Sequence, residues 1–161
     1  PSYLAYVVSF ATIGAVWLKH TILTDVMSHA DHAFMRLNLG LLLLVSFIPF
    51  PTKLVAEHID TNVGAERVAV VIYGLVLVLM SLLLTVMWGY AVRAGLVDRT
   101  LGDDEVQGAT RLFQPSVLAY VLAMLVAIIA PMVAVFLMLA ASIIIWIPAA
   151  VLPRRTPDGG D

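Results

Sequence analysis

From Leu112 to Pro153 the chain runs for 42 residues without a single Asp, Glu, Lys or Arg. As one helix this stretch would be roughly 63 Å long, at about 1.5 Å per residue. A bilayer hides only about 30 Å of hydrocarbon. The segment must therefore fold back on itself as two spans, with Pro131 near the middle as the turn or the first turn of the second helix. Composition leads to the same place. Of 161 residues, 61% are hydrophobic and only 12% charged, whereas soluble domains carry about 25% charged residues. Too few charges are present to cover a water-facing surface, so the apolar excess faces lipid.

The same criterion, roughly 20 mostly apolar residues per crossing, places three earlier spans. The five expected helices cover about 2–23, 33–50, 68–92, 113–130 and 132–152, with 153–161 as a disordered tail. The first is charge-free through Leu18, and Lys19 is expected to snorkel to the interface. The second is expected to stop at Pro49 and Pro51, which cannot donate to a helical ladder. Polar loops are expected at Thr24–His32, Thr52–Glu66 and Arg93–Arg111, the last holding the acidic run Asp103-Asp104-Glu105. That run reads as a solvated loop, with weak attraction of cations to a pore mouth as the sharper alternative. The fold class is an all-α membrane protein of about five transmembrane helices.

Lys and Arg set the orientation. Lys19, Arg36, Arg93, Arg99, Arg111, Arg154 and Arg155 fall on one side, seven in all, against Lys53 and Arg67, two, on the other. The seven-residue side is expected to be cytoplasmic, which puts the C-terminus inside and Pro1 outside. Such a start without an initiator Met leads to the expectation of one earlier helix, six in the full subunit. A net charge of −2 and nine scattered basic residues argue against a nucleic-acid partner. The absence of Cys excludes disulfides and thiolate metal sites.

Few side chains inside the spans can carry chemistry, and each is costly there. Trp17 and His20 are three apart on the first helix and share a face. Asn38 lies one turn inside the second. Interhelical hydrogen bonding is the plain reading; a polar clamp that positions another helix is the sharper one. Asp25, His29, Asp31 and His32 form a loop of possible metal ligands at no recognisable spacing, and Asp31 alternatively caps the following helix. Ala119, Ala123 and Ala127, at four-residue intervals, allow close helix packing. No nucleophile elbow, phosphate loop or His-Glu-x-x-His motif appears.

The ordered set Trp17-x-x-His20, Asp31, Arg36-x-Asn38-Leu39, a Leu-rich run and Pro49-Phe50-Pro51-Thr52 resembles helices two and three of the endolysosomal potassium channel family, transmembrane protein 175, and its bacterial homologues. The resemblance covers about a third of the chain, from Ser9 to Thr52. It implies a homotetramer of six-helix subunits whose first helix lines the pore and carries an Arg, three residues and Phe-Ser-Asp. Trp17, His20 and Asn38 then correspond to the residues that hold that motif. That first helix is absent from this sequence, so no pore-lining residue is named. The expectation is a potassium-permeable channel subunit of a bacterial inner membrane, with no cofactor beyond the permeant ion. The alternatives are a metal or haem protein or enzyme using His20, His29, Asp31 and His32, and a non-conducting scaffold.

Overall fold

A computed structural model describes residues 2–58, 63–98 and 100–151. Its elements are α1 (Ser2–Asp25), α2 (His32–Phe47), α3 (Pro49–His58), α4 (Val63–Arg93), α5 (Asp103–Val126) and α6 (Pro131–Val151). The tail expected to be disordered, 153–161, lies outside the described residues. Among the described residues four stretches are long and apolar enough to cross a membrane: Val7–Asp25, His32–His58, Val63–Arg93 and Val106–Val126. Pro131–Ile144 in α6 is a shorter apolar helix.

Two boundaries need correction. The second span does not end at its prolines. Ile48 keeps helical angles (φ −49°, ψ −43°) between α2 and α3, and Pro49 opens α3. A proline in the first turn lacks only an N–H that would be unpaired there anyway, so the chain resumes as a helix where a loop was expected. The fourth helix likewise begins at Asp103 rather than near 113, and runs on through Pro115. Acidic residues favour the N-terminal turn of a helix, so a run that hydropathy assigns to a loop instead starts α5.

The bundle is built around α4, which packs against α1, α2, α3, α5 and α6. Its buried side chains, among them Tyr73, Leu77, Met80, Leu84 and Met87, recur at spacings of three and four along one broad face. On the opposite face Leu75, Leu79, Leu82 and Val86 are exposed. The bundle's outer surface is apolar: Phe10, Leu43, Leu118 and Phe136 are 63%, 70%, 62% and 65% exposed. Only lipid or another protein surface accepts such a face at low cost.

At Gly74 α4 approaches α5 and α6 closely. A Cβ there would lie 2.6 Å from Met138 Cε and 3.2 Å from Met124 Cβ. Gly74→Val should destabilise by about 1–3 kcal/mol through overpacking. Gly89, whose Cβ would meet nothing within 4 Å, should accept Ala without loss, since Ala is the better helix former. Thermal unfolding in detergent separates the two, and equal melting points would contradict this packing.

Gly95 ends α4 with φ +68°. Leu96 N–H reaches back to Ala91 O (2.9 Å) and Gly95 N–H to Val92 O (3.3 Å), a Schellman end. The turn delivers Leu96–Asp98 to the loop after α1, where Ser28 N–H donates to Leu96 O and Asp98 N–H to Val26 O, both 2.9 Å. The α1–α2 and α4–α5 loops are thereby clasped at one end of the bundle.

Candidate functional site at the junction of α1 and α2

Two faces of α1 diverge. Thr12, Ala15, Lys19 and Leu23, spaced by three and four, are buried, whereas Val7, Phe10 and Trp17 look outward. Polar side chains on α1 reach each of four other helices. Ser9 Oγ donates to Thr52 Oγ1 on α3 (2.9 Å), and Thr12 Oγ1 pairs with the Tyr73 hydroxyl on α4 (2.9 Å). Lys19 Nζ donates to Ser116 Oγ on α5. His20 Nε2–H donates to Asn38 Oδ1 on α2 (2.9 Å).

The last bond joins two residues singled out in the sequence, and Trp17 completes the set. Its indole stacks on the His20 ring, with centroids 6.2 Å apart and 25° between planes. His20 and Asn38 are half-buried at the edge of the bundle, and Trp17 is 66% exposed. The three side chains thus form one amphipathic patch at the junction of α1 and α2. It continues into an exposed apolar stripe on α2, Met35, Leu39, Leu42, Leu43 and Phe47.

Of the packing alanines, Ala123 and Ala127 are buried and Ala119 half-buried. Two of the proposed metal ligands, Asp31 and His29, are otherwise engaged. Asp31 Oδ1 accepts from the Phe34 N–H (2.8 Å), capping α2, and Oδ2 accepts from the Tyr90 hydroxyl (2.5 Å). His29 Nδ1 pairs with Ser28 Oγ (2.9 Å). Among the described residues no three His, Asp or Glu side chains gather as a metal site.

The Tyr90 hydroxyl, and after it the Phe34 N–H, hold the Asp31 carboxyl below the usual carboxylate range. A depressed carboxylate stabilises the fold above its unfolded value, near 3.9. It loses that contribution as pH falls through the folded value. Tyr90→Phe removes the first of these bonds. Its melting temperature should therefore fall less between pH 5 and acid than that of the unaltered protein; parallel profiles would show that Asp31 and Tyr90 are not coupled.

Sequence reasoning missed two features. Lys19 does not snorkel; it is 3% exposed, with Nζ 5.9 Å from the Phe113 ring centroid. Its place in the Thr12–Ala15–Leu23 stripe was a usable signal, since residues three and four apart share a helix face. The Trp88–Phe113 stack (5.4 Å, 11°) and the Trp88 Nε1–Thr110 Oγ1 bond (2.9 Å) had no local signal.

An all-α bundle whose helices are long and apolar enough to cross a membrane, and whose outer surface is apolar, defines the class: a multispan membrane protein. The comparisons make the class specific. Residues 1–49 match the family described as endosomal/lysosomal potassium channel TMEM175. A potassium channel of Streptomyces collinus is 38% identical over 112 residues, 70% of this chain and 54% of the relative. One of Chamaesiphon minutus is 34% identical over 115 residues, 71% of this chain and 56% of the relative. The crystal structure of a lysosomal potassium-selective channel TMEM175 homologue from Chamaesiphon minutus superposes with a TM-score of 0.81 at 28% identity, covering 92% of this chain and 74% of that one. The chain belongs to the TMEM175 family, among its bacterial members. It spans about half the length of the curated relatives it matches.

Proposed function

We propose that the protein is a subunit of a potassium-permeable cation channel. Copies of it assemble, as a homotetramer, around a central pore in a bacterial cell membrane, with the C-terminus cytoplasmic. Conduction is passive: ions move down their gradient through a pore with an apolar constriction that opens by widening or wetting. No catalytic group or organic cofactor is required, and potassium is the permeant ion.

The observation that carries this reading is the outward patch of Trp17, His20 and Asn38, within the family-matched residues 1–49. A patch that has one buried edge and one exposed indole suits contact with another helix better than contact with lipid alone. In this reading the three side chains grip the pore-lining helix, and Ala119, Ala123 and Ala127 bring helices into close register. Asp31 and Tyr90 support the grip indirectly by fixing the start of α2.

Reconstituted liposomes loaded with potassium test the function. Protein-dependent potassium efflux, driven by the gradient alone, is the expected result. Correctly inserted protein that releases no potassium would favour a non-conducting scaffold. Loss of activity on chelation would favour the metal reading.

A further inference from the structure

A small cavity of about 10 Å³ opens between α1, α4 and α5, bounded by Ala15, Lys19, Met80, Ser81, Leu84 and Tyr120. It is a partly open pocket, and Trp17, His20 and Asn38 do not line it. Two polar groups border it in an otherwise largely apolar setting. Lys19 is 3% exposed and Ser81 5% exposed.

Their hydrogen bonding is unequal to their burial. An ammonium has three N–H donors and no acceptor. One goes to Ser116 Oγ. The Phe113 face, 5.9 Å from Nζ to its centroid, supplies cation–π attraction. Among the described residues no carboxylate is recorded within ion-pair distance of Lys19. Ser81 Oγ has no hydrogen-bond partner at all. Its hydroxyl does not turn back to the preceding helical carbonyl, as that of Thr85 does to Ser81 O at 2.9 Å. The Tyr120 hydroxyl is already paired with Ser142 Oγ (3.0 Å). Two ammonium donors and one serine hydroxyl are thus left at the edge of the same cavity. A buried polar group without a partner is costly.

The size of the cavity selects the occupant. A water molecule needs roughly 10–15 Å³ of such space and two to four polar partners. The space available suits a molecule the size of water. We infer that the bundle holds a site for one water molecule, bound between Lys19 Nζ and Ser81 Oγ. The water accepts from the ammonium and exchanges a hydrogen bond with the serine. It joins α1 to α4, and through the Lys19–Ser116 bond to α5, making one polar node in an apolar packing region.

The direct test is an experimental structure of the full protein at a resolution that shows ordered solvent. A solvent peak within hydrogen-bond distance of both Nζ and Oγ is expected. Both side chains clearly resolved with no peak between them would overturn the proposal. A double-mutant cycle in thermal unfolding is the second readout. Ser81→Ala should lower the melting temperature by about 2–4 °C in the unaltered protein. In a Lys19→Met background the same change should have less than half that effect, because the shared water is gone. Equal shifts in the two backgrounds would also overturn it. Should Lys19→Met fail to fold, the solvent peak in the unaltered protein still decides.

Discussion

Replacing Asn38 with alanine is expected to reduce potassium flux and oligomer yield, while Ser46→Ala on the same helix leaves both unchanged. The two residues differ in what they bond. Asn38 Oδ1 accepts from His20 on another helix (2.9 Å), whereas Ser46 Oγ is exposed and donates to its own helix at Leu43 O (2.8 Å). Removing Asn38 strands the half-buried His20 N–H, at about 1–3 kcal/mol. It also releases the Trp17 indole, which is positioned by stacking on that imidazole. His20→Ala should behave like Asn38→Ala, and the double variant should lose little more than either alone, since the pair acts as a unit. Flux and oligomer yield equal in all three single variants would remove the clamp and leave the residues as ordinary packing contacts.

The second large effect is expected at Phe113. Its side chain is fully buried, its ring stacks on Trp88, and it lies beneath the Lys19 ammonium. Phe113→Ala opens a cavity at the meeting of α1, α4 and α5. Such truncations cost about 3–5 kcal/mol in soluble cores. The lower end applies here, because lipid rather than water is the reference and the remaining loss is mostly packing. Leu118 on the same helix is 62% exposed, and Leu118→Ala should change stability little. Thermal unfolding in one detergent compares them. A Phe113 variant as stable as the Leu118 variant would contradict the packing described for α5.

Sequence and structure agree where the physics is local. Hydropathy over about 20 residues places the spans because the requirement, hiding backbone and side chains from a 30 Å slab, is itself local. It misplaces the start of α5 because the first turns of that helix are charged, and charge is what the criterion discards. It misreads Pro49 and Pro51 because both fall in the first turn of α3, where a backbone N–H has no helical partner to lose. The His20–Asn38 contact was legible since the two residues lie 18 apart across one short turn, each near the same end of its helix. Tyr90 and Asp31 are 59 apart, and Lys19 and Ser116 are 97 apart. Nothing within either local segment announces its partner. Snorkelling was a reasonable expectation for a lysine near a helix end, but the stripe it occupies turns it inward.

The most direct test of a channel is current through single molecules. The protein, incorporated in a planar bilayer with a potassium chloride gradient, should give unitary current steps whose reversal potential shifts towards the potassium equilibrium value. Asn38→Ala should reduce their frequency and Ser46→Ala should not. Properly inserted protein with no current steps, or steps that reverse at the chloride potential, would contradict the assignment of a potassium-permeable channel subunit.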